Sequence, residues 1–495
     1  MKTIRFAHAF LVAAASLLSA ASADTHYVDI ASPAPDAPYT NWGKASLSIQ
    51  SAINAASNGD EILVAPGTYL LTGSALYIPP EKALVLRSTQ SRAAIIDAQG
   101  LSQGLLIQGT NSLIEGFTVR NGLRGLGYGG GISIGRDCTV RDCLVISNRS
   151  SAGGGIMING EATNALVEDC TVEGNIATNG PGGGIVIYDN SRGRVHRCVI
   201  SGNTAATYGG GVWIDRKGTV SNCWVMGNEA EGEDGGGVYM ACQGSTNPSW
   251  LVNSVIAGNS AARYGGGVYS SGPAGTLSPV VNCTIVSNTA GADGGGVFAY
   301  TTRFINDIIY FNSAPTNANL NAHDSILSCI ISNCCTTSNY FWPNITNAPA
   351  FVDAVAMDFR LATASFCIDA GTTNSAPGDD IDGNPRPRIG KPGMLITNCD
   401  MGAHEYGFHF NEIRTIFTNS VQVQWDVQDR GIYRLQAATN AADDPLSPSW
   451  GTVVAYTNGG MAAGQFQVYT QTVSPPGAMP GHALFRLQVG HTMVK

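Results

Sequence analysis

The chain has 495 residues, 27 basic and 36 acidic side chains and a formal charge of −9, with charged residues only 13% of the total. That balance argues against generic nucleic-acid binding, and 44% hydrophobic residues with so little charge exclude a disordered polyelectrolyte. Glycine is abundant at 61, but it has no three-residue period and proline is only 22, which excludes collagen.

Residues 1–23 carry Lys2 and Arg5, an apolar run over residues 10–18, and the small residues Ala21, Ser22 and Ala23. This is the pattern of a secretory signal peptide. The mature chain is therefore expected to begin near Asp24 and to be exported, to the medium or the cell surface. No later stretch offers the roughly 20 apolar residues of a membrane span, so no transmembrane segment is expected in the mature chain.

Residues 24–345 are organised by a repeat. A glycine triplet followed by Ile or Val begins at Gly129, Gly153, Gly182, Gly209, Gly235, Gly265 and Gly294, in steps of 24 to 30 residues. A second motif interleaves with it: CLVISN from Cys143, CTVEGN from Cys170, CVISGN from Cys198 and CWVMGN from Cys223. It continues as SVIAGN from Ser254, CTIVSN from Cys283 and DIIYFN from Asp307, with an earlier copy, GFTVRN, from Gly116. Short alternating strands separated by Gly and Asn turns suit one coil per repeat, and a stack of coils buries a core that no single coil can. The expected fold is all-β, a parallel β-helix. Two asparagine columns should stack along it. One runs Asn148, Asn175, Asn203, Asn228, Asn259, Asn288, Asn312; the other runs Asn222, Asn253, Asn282, Asn306, preceded by Asp142 and Asp169.

The segment SIQSAINAASNGDEILVAPGTY, residues 48–69, resembles the start of right-handed parallel β-helices of the pectin-lyase-like superfamily. That resemblance implies a short amphipathic helix capping the first coil and a Gly-Asp turn into the first strand. The GGG-I/V and V-x-x-N repeats are similar to those of chlamydial polymorphic membrane proteins, which are secreted surface adhesins. Such folds host lyases, hydrolases, adhesins and proteins without activity, so the fold alone does not name a reaction.

Residues 346–408 contain FVDAVAMDFRL, CIDAG, DIDGNPRP and DMGAHEY, which resemble the choice-of-anchor Q domain of exported bacterial proteins. The resemblance implies cell-surface delivery. Two departures are Phe366 where proline is expected and an insert over residues 391–399. Residues 409–495 alternate in runs such as VQVQWDV, YRLQAAT and LFRLQV, which predict a small antiparallel β-sandwich.

The twelve cysteines are read through the repeat. Cys143, Cys170, Cys198, Cys223 and Cys283 share one position with Ser254 and Asp307, so they are expected as a buried column of free thiols. Off that column, Cys329 with Cys334 or Cys335, and Cys367 with Cys399, are the candidates for disulfides. No Cys-x-x-Cys pair is matched by a histidine, so no zinc site is assigned. Asp379, Asp380, Asp382 and Asn384 resemble a calcium loop in spacing, but Gly383 is misplaced for one and an Asp-Gly turn is expected. His404 has no partner pattern.

Strand side chains alternate, so the residue after each inward Ile or Val of the GGG-I/V motif points outward. This position reads Ser133, Met157, Val186, Trp213, Tyr239, Tyr269 and Phe298. Two residues further come Gly135, Asn159, Tyr188, Asp215, Ala241, Ser271 and Tyr300. With coils about 4.8 Å apart, Trp213, Tyr239, Tyr269 and Phe298, flanked by Tyr188 and Tyr300, would form an external aromatic strip. Sugar rings present apolar faces to such a strip, and an exposed apolar patch marks an interaction site; the competing reading is a ladder that only stabilises the stack. The leading function is therefore binding of an extended polysaccharide or a cell-surface glycan. A polysaccharide lyase or glycoside hydrolase in the same groove is the alternative, and a ligand-free stalk a further one. The weak catalytic candidates are Asp215, Lys217 and Asp234, two carboxylates and a base. No cofactor is assigned; calcium is the one ion the lyase reading would call for.

Overall fold

Each repeat closes one coil because its strands are two to four residues long, Leu123–Tyr128 with six excepted, and its corners are built from residues that tolerate a left-handed backbone. The computed structural model describes residues 23–406 apart from 190, 243–247, 273–275, 323–328, 338–342 and 388–397, and beyond 406 the backbone of six strands. A seven-residue helix, Ile49–Ala55, buries Ile49, Ala52 and Ile53 against the first coil. Parallel strands then stack into sheets of twelve, eleven, ten and seven strands. On the ten-stranded sheet register holds from coil to coil, as in Ile132↔Ile156, Ile156↔Ile185 and Ile185↔Val212, while the seven-stranded sheet shifts register once, between Arg124 and Tyr128. This is an all-β, right-handed parallel β-helix with almost no helix.

The core is the inward set of Ile, Val and Leu, most of them fully buried. The glycine triplets lie where the seven-stranded sheet turns into the ten-stranded one. The first glycine takes a left-handed φ, +64° at Gly209. The second leaves no room for a side chain, since a Cβ on Gly210 would lie 2.4 Å from the Glu229 backbone.

The first asparagine column forms a continuous buried ladder. Each Oδ1 accepts the backbone N–H and the side-chain N–H of the asparagine one coil earlier, as in Asn175 to Asn203 at 2.9 and 3.0 Å. Each Nδ2 also donates to a carbonyl of the preceding coil, from Asn175 to Val145 at 2.9 Å. These bonds satisfy backbone groups buried at a corner, which would otherwise cost about 1–3 kcal/mol each. The second column supplies the corner at the other end of the eleven-stranded sheet's strands, with Asp142, Asp169, Asn222, Asn253, Asn282 and Asn306 all at φ between 48° and 60°.

The cysteine column is buried as expected, and Cys334 extends it beyond Asp307. The backbone N–H of Cys198 points to Cys223 Sγ at 3.5 Å, and that of Cys283 to Asp307 Oδ1 at 2.7 Å. All twelve cysteines are free thiols, which corrects the proposed bridges among Cys329, Cys334, Cys335, Cys367 and Cys399. Consecutive strand residues face opposite ways, so Cys334 enters the core while Cys335 points outward, beside the Cys367 thiol.

The described residues between 350 and 406 lie along the flank of the solenoid. Phe359, Ala403 and Ile381 pack on Val255, Ala257, Val286 and Trp224, the outer face of the eleven-stranded sheet. The left-handed asparagines form the seam: Asn222 donates to Asp380 O, Asn253 to Asp379 O and Asn306 to Thr372 O. Beyond 406 the chain forms two three-stranded antiparallel sheets between residues 409 and 490. The side chains that would pack them as a sandwich lie outside the described residues, as do residues 1–22 of the signal peptide expected over 1–23.

Candidate functional site

The ten-stranded sheet carries the aromatic column in the register that alternation predicts. Trp213 pairs with Tyr239, Tyr239 with Tyr269 and Tyr269 with Phe298. The rings stack along the column, Tyr239 on Tyr269 with centroids 4.7 Å apart at 11°, and Tyr269 on Phe298 at 5.6 Å and 1°. They do not form a flat open strip. Tyr208 and Tyr264, each just before a glycine triplet, lean over the column with centroids 4.7 Å from Tyr239 and Phe298. Tyr239 and Phe298 are thereby buried, at 8% and 4% exposure. What reaches solvent is a row of half-buried rings: Tyr188, Trp213, Tyr269 and Tyr300. Tyr128, more exposed, stacks on Tyr188 at 5.5 Å and extends the row toward the N-terminal end. Tyr128, Tyr208 and Tyr264 were missed in the sequence because the position before GGG holds Ala152, Pro181 or Asp in the other coils.

The row is bordered by ionic pairs. Arg216 Nη1 lies 2.8 Å from Asp189, and Asp215 accepts the Asp189 backbone N–H at 3.1 Å. Burial raises the Asp215 carboxyl above its ordinary value. At the other end of the sheet, Arg263 pairs with Glu233 at 2.5 Å and Asp234 accepts the Tyr264 N–H at 3.2 Å. Burial pushes Asp234 up to about 6, with the Arg263 charge working against it.

The proposed acid–base group is not brought together. Asp215 follows the strand Val212–Ile214, whereas Asp234 precedes the triplet that leads into the neighbouring strand, so the two sit at opposite ends of the sheet. Lys217 turns the corner out of that sheet and lines a groove shared with Arg194, Thr219 and Trp250 of the twelve-stranded sheet. A lyase base at Lys217 acting with Asp215 and Asp234 is thereby corrected: the chain bends away two residues after Asp215.

The acidic run after the solenoid is mainly structural. Asp380 is fully buried, its Oδ1 accepting the N–H groups of Asp382 and Asn384 and its Oδ2 that of Glu405. His404 does have a partner, with Nδ1 3.1 Å from Asp382 Oδ2. Asp380, Asp382 and His404 bring ligand-type atoms within 4.8 Å of one another. Both Asp380 oxygens are engaged by N–H donors, so the trio holds a turn and is a poor cation site.

Residues 95–248 match the family described as right handed beta helix region. Nothing among curated proteins matches the chain. Among solved structures the chain is similar to pectate lyase Pel9A, at 17% identity and a TM-score of 0.55, covering 78% of this chain and 97% of that one. It also resembles a rhamnogalacturonan lyase at 15% identity and a TM-score of 0.37, covering 71% and 97%. At 17% identity the likeness to pectate lyase Pel9A concerns the fold. Among the described residues no helix is long and apolar enough to cross a membrane.

Proposed function

We propose that the protein is exported and holds an extended polysaccharide or cell-surface glycan against the outer face of its ten-stranded sheet. The observation that carries this reading is the arrangement of Tyr188, Trp213, Tyr269 and Tyr300. These half-buried rings come from four of five successive coils, Tyr188 beside Trp213 and Tyr269 beside Tyr300, with the buried Tyr239 between the two pairs. At about 4.8 Å per coil, a saccharide chain laid along the sheet would meet both pairs. Their partial burial fixes ring orientation before binding, which lowers the ordering cost of association. The polar border of Asp189, Asp215 and Arg216 supplies hydrogen-bonding groups for hydroxyls. A leader at residues 1–23 and a choice-of-anchor Q-like segment after the solenoid support export and surface display.

The test is affinity electrophoresis of the full chain through a panel of soluble polysaccharides. Trp213→Ala combined with Tyr269→Ala should abolish the retardation that the wild type shows, with a melting temperature within a few degrees of it. Unchanged retardation would reject this face as the binding surface.

A second reading, lyase or hydrolase action on the same face, is favoured by Asp234, whose raised carboxyl is the kind of perturbation found in acid–base groups. Calcium would belong to the lyase form of it. Release of unsaturated or reducing ends from any retained polysaccharide, lost in Asp234→Asn, would establish it. A stalk without ligand is left if the wild type is retarded by nothing.

A further inference from the structure

The groove that takes Lys217 has the makings of a second site, on a different sheet from the aromatic row. Arg194, Thr219 and Trp250 are the first residues of the strands Arg194–His196, Thr219–Ser221 and Trp250–Val252. They stand in register across the twelve-stranded sheet, Arg194 opposite Thr219 and Thr219 opposite Trp250. Arg192 and Lys217 come from the turns that lead into these strands, and with Thr163 they enclose a groove of about 460 Å³. That volume lies within the range that holds a small ligand.

Most arginines among the described residues are charge-paired, whereas the three cations that line this groove together are not. Arg87, Arg92, Arg120, Arg141, Arg197, Arg216, Arg263, Arg360 and Arg386 each have a carboxylate within 4 Å. Arg192, Arg194 and Lys217 have none among the described residues; Arg194 reaches only the Asn164 side-chain oxygen, at 3.3 Å. The nearby carboxylate of Asp137 is already engaged, by the Asn164 backbone N–H at 2.7 Å and Thr163 Oγ1 at 3.3 Å. Three unmatched cations thus converge in a chain of net charge −9, which otherwise repels polyanions. Beside them Trp250 is 41% exposed, a large apolar surface left open at the groove wall. Cations that bind carboxylate or sulfate oxygens, next to an aromatic face with a polar edge, match a sugar that carries an acidic group.

We infer that this groove binds the anionic units of an acidic saccharide, with Arg192, Arg194 and Lys217 holding the carboxylate or sulfate and Trp250 stacking on the sugar ring. The site is separate from the aromatic row and does not depend on that row binding anything.

The test titrates the full chain with three oligosaccharides of equal length: an oligogalacturonate, its carboxyl-reduced neutral counterpart and a sulfated glucan oligomer. The wild type should bind at least one anionic probe, more weakly as salt rises, and bind the neutral probe at least tenfold less well. Arg194→Gln with Lys217→Gln, which keep much of each side chain, should raise the Kd at least tenfold, and Trp250→Ala several-fold, at unchanged melting temperature. Trp213→Ala with Tyr269→Ala should leave this affinity unchanged. The inference is overturned if no anionic probe binds, if the neutral probe binds equally well, or if the Gln variant binds as the wild type does. Which anionic probe depends on Arg194 and Lys217 identifies the acidic group as carboxylate or sulfate. Loss of anionic binding in the Trp213 and Tyr269 variant, but not in the Gln variant, would assign the saccharide to the aromatic row alone.

Discussion

Arg386 Nη2 lies 3.0 Å from Oδ1 of Asn253, and Nδ2 of the same asparagine donates to the Asp379 carbonyl at 3.0 Å. One left-handed corner of the solenoid is thus gripped on both sides by the segment that follows it. Arg386 also pairs with Glu405 at 3.0 Å, the two side chains 1% and 0% exposed.

Breaking that pair from one side leaves Glu405 buried without its counter-charge, a loss of about 3–5 kcal/mol. Arg386→Met is therefore expected to release residues 350–406 to protease at a denaturant concentration where the solenoid stays folded. Arg386→Met with Glu405→Gln should recover part of the loss, because the buried charge goes with its partner. Equal protease resistance in Arg386→Met and wild type would show that the clasp contributes little. Limited proteolysis across a urea series makes the measurement.

The solenoid was legible because its corners repeat: a column such as Asn148 to Asn312 is an alignment of the chain with itself. The aromatic column followed from alternation within a strand, but its cover did not, since Tyr208 and Tyr264 stand at a position other coils fill with Asp, Ala or Pro. Alternation also fails past a corner, which is why Lys217 was grouped with Asp215 although the chain turns between them. The groove had a usable signal. Arg194, Thr219 and Trp250 each stand four residues before the cysteine column position, at Cys198, Cys223 and Ser254. Contacts such as Arg386 to Asn253 join residues 133 positions apart, and no local pattern reports them.

The triplet glycines separate two physical causes. A Cβ on Gly210 meets the Glu229 backbone at 2.4 Å, where nothing flexible can yield. Gly202 has φ +60° but open space around it. Gly202→Ala should cost roughly the 1–2 kcal/mol of a left-handed residue. Gly210→Ala should cost about 3 kcal/mol or more as overpacking against backbone. Urea unfolding of the two variants beside wild type gives the comparison, and similar losses would refute the steric account of the second glycine.

Asp234 makes stability depend on pH in an identifiable window. Its folded-state value is raised from 3.8 to about 6 by burial. Between those values the native chain holds a proton that the unfolded chain has released, so this contribution falls as pH rises. Above about pH 6 the full cost of the buried charge is present. Asp234→Asn keeps an acceptor for the Tyr264 N–H and removes that charge. The variant should melt a few degrees above wild type at pH 7, with the gap closing below about pH 4. A gap independent of pH, followed by melting curves across this range, would remove Asp234 as its source.

Thiol chemistry tests the interior directly. All twelve cysteines are buried and free. Burial raises Cys170, Cys198, Cys283 and Cys334 well above the ordinary thiol value, and the hydrogen bond with Cys170, with burial second, does the same for Cys143. The thiolate is the reactive form, so a thiol reagent such as Ellman's should find almost nothing to modify in the native chain. In denaturant without reductant the count should rise to twelve, all appearing in the unfolding transition. A count lower by two would mean one bridge, and the adjacent thiols of Cys335 and Cys367 are where peptide mapping would look for it. Rapid labelling of several thiols before unfolding would contradict the stacked cysteine column itself, since those side chains reach solvent only when neighbouring coils separate.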